Sequence, residues 1–505
     1  MIVEHKSSSP AETESMAAEL SLWARPGQCI LLSGELGSGK STFARAFIRA
    51  LAAGQPEFDI PSPTFSLLQA YENTRVPVVH ADFYRLKSAA EIDELGLGDL
   101  LAGSALLIEW PDRLERELSA DCLKISFSGS GQNRSLILEA QGNWISNLAR
   151  NDRITKFIKA SSFGGGVRSF LEGDASARRY ESLTNGSKSL LLMDMPQRPD
   201  GPIVRDNKPY SAIAHLAEGM NSVVAINDYL FGLGYSAAQI FDVDTENGLA
   251  LMESLGTNVF SIMTAQGQDM HEPMRAAIEV LADMAGKTWP RSVPLRGGST
   301  YTLSDYDTEA LAIEVDLLLS WYWPHVKKDH PSSDMAAEFL NIWRDLFAHA
   351  EPEETFWTLR DFHSPNLLWM PERTGLRQVG IIDTQDCVLG HPAYDLVSML
   401  QDARVDIDFD FADKLFAYYC SLRSAAGRFD AKGFSRAFAI LGAQRATKIL
   451  GIFARLSNRD GKHGYLKHMP RVSRYLLRNL EHPDLARLKK WHERNLPLLR
   501  SAPRQ

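Results

Sequence analysis

The chain has 505 residues, 44% apolar and 23% charged, with a formal net charge of −9. At about 150 residues per core, that length makes about three compact units of ordinary globular composition. The acidic balance, heaviest in the first 150 residues, excludes a whole-protein clamp on nucleic acid, which needs clustered Lys and Arg.

Four scattered cysteines (Cys29, Cys122, Cys387, Cys420) form no C-x-x-C pair, so neither a disulfide framework nor a zinc site is expected. The start MIVEHKSSSP carries no apolar signal run, and no uninterrupted apolar stretch reaches the roughly 18 residues of a membrane span. A cytoplasmic protein without a membrane partner is the expectation.

In chain order, Ser9-Pro10-Ala11-Glu12 reads as a capping box opening a helix to about Trp23, stopped by Pro26-Gly27. QCILLSG (28–34) is a short apolar run of buried-strand type, and KSTFARAFIRALAAG after it is an amphipathic helix. VPVVHADF (76–83), ALLIEW (105–110), CLKISFS (122–128) and SLILEA (135–140) are further strands. They predict an α/β P-loop domain over 1–147. Polar residues gather in QGNWISNLARNDR (141–153), which reads as a boundary and tether. Beyond it, FLEGDASARRYESL and KSLLLMDMP form a two-strand meander feeding a third strand, and GLALMESLG is a strand with a Gly-containing connector. An α+β, two-lobed, protein-kinase-like domain is predicted, with its small lobe over 148–256 and a helical lobe over 257–505.

Residues 34–41, GELGSGKS, match G-x-x-x-x-G-K-[ST] between an apolar strand and an amphipathic helix. Gly34, Gly37 and Gly39 let the backbone curl so that N–H groups, with Ser38 and Thr42 alongside, face phosphate oxygens. Lys40 reaches the β/γ-phosphates of ATP, and Ser41 offers a hydroxyl to Mg²⁺. Around the loop stand IPSPTFSLLQAY (60–71), HADFYRL (80–86), ELGLGDLL (94–101) and LIEWPDR (107–113). Together these resemble the TsaE family, ATPases needed for threonylcarbamoyladenosine formation beside the tRNA anticodon, over about residues 5–145. The resemblance implies that Ser41 and Glu109 hold Mg²⁺, that Asp82 orients the attacking water, and that Thr64 senses the γ-phosphate. It further implies that the other subunits of the modification complex are partners and that tRNA is met only through them.

Far downstream, Asp361-Phe362-His363-Ser364-Pro365-Asn366 has the D-x-x-x-x-N spacing of a kinase catalytic loop, and the run Ile381-Ile382-Asp383 delivers a second acid. In that arrangement Asp361 accepts the substrate hydroxyl proton while Asn366 and Asp383 bind Mg²⁺. His363 reads as a positioning or core residue. Leu359 stands where protein kinases have His, and Met193 where a strand lysine is expected, which excludes a standard protein kinase. Instead LEGDASARRY (171–180), LLLMDMP (190–196), GHPAYDL (390–396) and AQRATKILGIFARLSNRDGKHGYLKHMPR (443–471) resemble the aminoglycoside-phosphotransferase superfamily, and within it the AmgK-type anomeric kinases of N-acetylmuramate and N-acetylglucosamine used in peptidoglycan recycling.

That resemblance implies a loop over the ATP phosphates made by Asp174, Ala175, Ser176, Arg178 and Arg179, and an adenine-side hinge at 251–256 containing Glu253. Arg178 and Arg179 also read as strand-edge surface charges. Glu314, Arg445, Arg455 and Lys462 are candidates for contact with the sugar, each equally readable as a structural ion pair. Trp321, Tyr322 and Trp323 read either as pocket lining or as core. The expected whole is a bifunctional fusion of ATPase and amino-sugar kinase. Two rivals stand beside it: a pseudokinase that regulates the ATPase, and a kinase for another small molecule such as an aminoglycoside.

Overall fold

A computed structural model describes residues 1–86, 88–114, 118–129, 132–171, 178–197, 201–217, 219–352 and 354–496. Asp174, Ala175 and Ser176 lie outside the described residues. The chain packs as two compact units, Met1–Met195 with Asp242–Leu251, and Pro196–Phe241 with Met252–Gln505.

In the first unit, helix α1 (Pro10–Ser21) starts where the capping residues place it, with Ser9 Oγ accepting from Glu12 N at 3.2 Å. The Glu12 carboxylate reaches back to Ser8 N (2.6 Å) rather than to Ser9. A seven-stranded sheet follows from β1 (Ile2–Ser7), β2 (Cys29–Gly34), β3 (Leu68–Tyr71), β4 (Val78–Asp82), β5 (Ala105–Glu109), β6 (Cys122–Ser128) and β7 (Arg134–Ala140), in the order β1-β7-β6-β2-β5-β4-β3. The four parallel strands β4, β5, β2 and β6 lie side by side with apolar side chains on both faces, as continuous apolar runs require. Because β4 and β5 run in register with Asp82 opposite Glu109, both acids finish at the end of the sheet where β2 hands over to the loop before α2 (Lys40–Leu51). Strand β1 was not read from its sequence. It pairs with β7 at the sheet edge, Ile2 opposite Glu139.

The junction read as a tether is an 18-residue helix, α3 (Asn143–Ala160). Its first turn is capped from a distance: the Asp121 carboxylate accepts from Asn143 N at 2.8 Å. Gly142, at φ +57°, passes so close to Asp121 that a Cβ would collide with its carboxylate. Beyond α3 lie β8 (Val167–Leu171), β9 (Arg179–Asn185), β10 (Lys188–Asp194), β11 (Ile240–Asp244) and β12 (Leu249–Glu253), in the order β11-β12-β10-β9-β8. One face of this sheet, with Leu183, Leu192, Leu249 and Leu251, joins Trp144, Leu148, Ile154 and Ile158 of α3 and Leu20 and Trp23 of the P-loop layer in one hydrophobic core.

The second unit is chiefly helical. Helix α4 (Thr308–Leu317) continues into a π-helical turn over Leu318–Tyr322 and crosses the long helix α5 (Ala431–Asn458) at Gly451, where a Cβ would lie 2.4 Å from the Leu317 backbone. Helix α5 has the length and composition of a membrane span, but 83% of its most apolar window is buried in this packing. Tyr322 and Trp323 are core residues and Trp321 packs against them, so the aromatic cluster is structural. A short antiparallel pair, β13 (Leu367–Trp369) and β14 (Val379–Ile381), places Leu367 opposite Ile381 and so brings Asn366 and Asp383 to the same end.

Candidate active sites

The first site is a cleft of about 260 Å³ lined by the loop residues Gly37 to Thr42 with Thr64, Asp82, Glu109 and Trp110. Gly34 (φ +143°) runs against the Phe127 carbonyl, which a Cβ would meet at 2.5 Å, so only glycine permits this path. Lys40 Nζ donates to the carbonyls of Gly34 (2.8 Å) and Glu35 (2.9 Å) and lies 3.9 Å from the Trp110 ring centroid. Burial draws its pKa down, opposed by Glu109 and Asp82. Ser41 Oγ donates to Glu109 Oε2 at 2.8 Å, and Thr64 Oγ1 to Asp82 Oδ2 at 2.6 Å. Ser62 donates to the same Asp82 oxygen at 3.1 Å.

Two contributors were missed in the sequence. His80 is wholly buried and its Nε2 is 3.0 Å from Glu109 Oε1, on the side away from Ser41. Arg134, on β7, donates to the carbonyls of Ser38 (2.7 Å) and Gly37 (3.2 Å), bracing the loop from outside. The only signal for His80 was its place two residues before Asp82; for Arg134 there was none.

The second site is built on a strained catalytic segment. Arg360 (φ +68°) and Asp383 (φ +63°) both adopt left-handed backbone that side chains disfavour. Asp395 holds the first of these in place: its carboxylate accepts from Leu359 N (2.7 Å) and Arg360 N (2.9 Å). Burial raises the Asp395 pKa to about 7 against those two bonds. Asn366 Nδ2 donates to the Asp361 carbonyl at 3.1 Å, and Gln385 Nε2 to Asp383 Oδ1 at 3.2 Å.

Asp361 keeps about a third (35%) of its side chain exposed, as a group that meets substrate must. Burial on its other sides pushes its pKa up, but the Arg445 and His363 charges outweigh this and hold it at about 2. Arg445 Nη2 lies 3.7 Å from Asp361 Oδ1, and Arg445 Nη1 donates to the Arg360 carbonyl at 3.0 Å. His363 stands between two acids, 3.9 Å from Asp361 and 4.0 Å from Asp402, and burial lowers its pKa. Asp402 in turn accepts from Ser364 N at 2.8 Å, fixing the loop.

Among the sugar-contact candidates, Glu314 is fully enclosed. It takes Lys448 Nζ (2.8 Å), Gln444 Nε2 (2.8 Å), the Tyr306 hydroxyl and Arg360 Nη2. Burial opposes its charge, yet Lys448 and Arg360 hold its pKa at about 2, so this carboxylate is committed to protein donors. Arg445 is likewise buried beside Asp361. Arg455 faces the Tyr210 ring at 5.5 Å, and Lys462 is exposed. The Glu253 carboxylate is paired with Arg373 at 2.5 Å. Arg179 sits 2.7 Å from Glu181. Asp395, Asp402 and Lys448 are the functional neighbours that sequence reasoning did not single out.

Both sites fit a magnesium nucleotide. Ser41 with Glu109, and Asn366 with Asp383, are hard oxygen donors of the kind Mg²⁺ takes alongside phosphate. The buried Ser38 and Thr384 hydroxyls, in the loop and beside Asp383, have no hydrogen-bond partner among the described residues.

Comparison with known proteins agrees with this geometry. Residues 7–136 match the family described as threonylcarbamoyl adenosine biosynthesis protein TsaE, and residues 167–432 match the phosphotransferase enzyme family, APH. An N-acetylmuramate/N-acetylglucosamine kinase of Caulobacter vibrioides is 36% identical over 351 residues, 68% of this chain and 95% of that protein. One of the same name from Neisseria meningitidis is 30% identical, covering 61% of this chain and 84% of that protein. The tRNA threonylcarbamoyladenosine biosynthesis protein TsaE of Rickettsia conorii is 36% identical over 132 residues, 26% of this chain and 74% of that protein. The chain therefore belongs to the TsaE family through its N-terminal part and to the APH phosphotransferase family through its C-terminal part, and is a P-loop ATPase fused to an ATP-dependent phosphotransferase.

Proposed function

We propose that the C-terminal site transfers the γ-phosphoryl group of ATP to the anomeric hydroxyl of N-acetylmuramate or N-acetylglucosamine, and that the N-terminal site hydrolyses ATP for the partner subunits that build threonylcarbamoyladenosine on tRNA, both in the cytoplasm. The observation that supports the first half is the ionised Asp361 held beside Arg445, with Asn366 and Asp383 brought to one end of a strand pair. A pure binding module has no use for all three, so the pseudokinase alternative is not favoured.

Asp361 accepts the hydrogen bond of the sugar hydroxyl and aims its oxygen at the γ-phosphorus. The new bond joins that oxygen to phosphorus, the bond to the β-phosphate breaks, ADP leaves, and the hydroxyl proton passes to Asp361. Asn366 and Asp383 would hold Mg²⁺, which neutralises charge on the phosphates when bound. Arg178 and Arg179 would steady the phosphate loop, and the 251–256 segment around Glu253 would meet adenine. Arg455 and Lys462 remain proposed sugar contacts. In the N-terminal site, the carbonyls of Gly34 and Glu35 occupy the Lys40 donors that phosphate oxygens would take, Ser41 and Glu109 would hold the metal, and Asp82 with Thr64 would orient water.

The test is phosphate transfer by the full chain to each amino sugar, followed as formation of the phosphosugar. Turnover that survives Lys40→Ala and is lost in Asp361→Asn supports the assignment. No phosphosugar from any amino sugar overturns it.

A further inference from the structure

Helix α5 presents three cations along one face. Arg445, Lys448 and Arg455 are three and seven residues apart. At about 100° per residue they fall within about 80° of one another, spread over about 15 Å of helix axis. Arg445 marks the catalytic end, beside Asp361. Tyr394 continues the row: the Arg445 guanidinium lies 5.6 Å from its ring centroid, and Lys448 Nζ donates to its hydroxyl at 3.3 Å. Tyr210 follows, its pKa pushed up first by burial and then by Glu314, with the charges of Arg455 and Arg360 opposing. The Arg455 guanidinium lies 5.5 Å from the Tyr210 ring centroid.

The cations around this row differ in what they hold. Lys448 and Arg360 are bound to Glu314, and Arg445 is divided between Asp361 and the Arg360 carbonyl. Arg455 forms no ion pair among the described residues, and its buried Nε–H has no hydrogen-bond partner among them. Burial draws its pKa down, opposed by the Tyr210 hydroxyl and Asp460. Asp460 is itself taken through both oxygens by Arg459, at 2.7 and 2.9 Å. A half-buried guanidinium without an anion carries an uncompensated desolvation cost, and its planar fork fits a carboxylate through two parallel bonds.

The two candidate sugars differ at one place that such a fork can read. N-acetylmuramate carries a lactyl ether whose carboxylate is ionised at neutral pH, and N-acetylglucosamine has a neutral hydroxyl there. We propose that Arg455 is the specificity-determining residue of the kinase site, binding the lactyl carboxylate of N-acetylmuramate while Asp361 takes the anomeric hydroxyl nearer the Arg445 end of α5. Tyr210 steadies the guanidinium from one side. N-acetylglucosamine leaves this arginine without an anion, so the site prefers the charged sugar. The proposal rests on the amino-sugar kinase reading of the C-terminal site.

The experiment measures phosphosugar formation by the full chain with N-acetylmuramate, its lactyl amide and N-acetylglucosamine. In the unaltered chain the amide should lose about tenfold or more in kcat/KM against the acid, the worth of a charge-assisted hydrogen bond. Arg455→Gln should bring that acid-to-amide ratio to within about twofold of one, chiefly by raising KM for the acid, because each change removes the same interaction. N-acetylglucosamine should lose less than N-acetylmuramate in this variant. Arg455→Lys, which keeps the charge and loses the fork, should give a ratio between the two. A melting curve alongside each variant identifies any that fail to fold, and if Arg455→Gln does so, an acid-to-amide ratio unchanged in Arg455→Lys overturns the proposal. Equal turnover of acid and amide by the unaltered chain also overturns it, as does an Arg455→Gln variant whose ratio matches the unaltered chain. Absence of phosphosugar from every sugar in the unaltered chain overturns the kinase reading instead.

Discussion

Arg445 reaches Asp361 from α5, its Nη2 3.7 Å from the carboxylate Oδ1, while its Nη1 is anchored on the carbonyl of Arg360. One guanidinium thus fixes the backbone of the catalytic segment and the ionisation of the group that meets the sugar hydroxyl. Burial is the strongest single influence on Asp361, and without Arg445 it loses its largest opponent, so the pKa moves up from about 2. Arg445→Met should therefore shift the acid limb of kinase activity upward by about one to two pH units, since losing a close opposite charge is worth that much. The pH profile of kcat/KM checks it.

Glu314 is the hub under that segment, and removing it strands two buried cations, Arg360 and Lys448. Glu314→Ala should cost about 3–5 kcal/mol of unfolding free energy, the range for breaking a buried ion pair from one side. The sign with pH follows from its depressed pKa. The stabilisation is fully present above the ordinary Glu value near ~4.3 and disappears as pH falls toward about 2. Denaturant unfolding of wild type and variant at pH 7 and pH 3 should show the gap closing at the lower pH.

The two ATP-consuming sites separate by mutation. Lys40→Ala should abolish hydrolysis stimulated by the tRNA-modification partners and leave sugar phosphorylation within about twofold, because the Lys40 ammonium is engaged by the carbonyls of its own loop, Gly34 and Glu35. Asp361→Asn should lower phosphosugar formation by about 10²–10⁴, the usual worth of a positioned acid–base group. ADP release measured with and without sugar reports both in one assay.

His80 lies behind the carboxylate expected to hold metal in the N-terminal site, 3.0 Å from Glu109 Oε1. His80→Phe keeps the ring volume and removes the partner. Metal affinity should fall by about 10–100-fold, the usual effect of losing a partner behind a ligand. Nucleotide binding titrated against Mg²⁺ in an Asp361→Asn and Asp383→Asn background, which weakens the other site, measures it without relying on turnover.

The strands β2, β4, β5, β6 and β7 could be read to within two residues because each is a continuous or near-continuous apolar run, a signal contained in the segment itself. The P-loop and the Asp361–Asn366 spacing were legible for a similar reason, since phosphate and metal chemistry demands those groups close together in the chain. What stayed hidden depends on partners elsewhere. Strand β1 is mostly polar and gains its place by pairing with β7 far along the chain, Ile2 opposite Glu139 and Ser7 opposite Arg134. Helix α3 looks like a loop because its cap is Asp121, 22 residues before it. His80 with Glu109, and Arg445 with Asp361, meet across strands and helices that no local pattern links. Glu314 was visible as a charge, but whether it faces sugar or protein is settled only by the four donors that surround it.

Helix α3 also carries an angular constraint. Each residue of an α-helix turns the chain by about 100° and advances it about 1.5 Å. Trp144 and Leu148 sit in the core with the P-loop layer, while Arg150, Asn151 and Ile154 meet the strands that follow. A single residue inserted between Leu148 and Arg150 would rotate the second group away from Asp194 and Arg168, whereas a three- or four-residue insertion would nearly restore its direction. The connection between the two enzymes is therefore a gear with fixed phase: its tolerance to changes in length should be periodic, and a flexible Gly/Ser replacement of the same length should fail where an added helical turn succeeds.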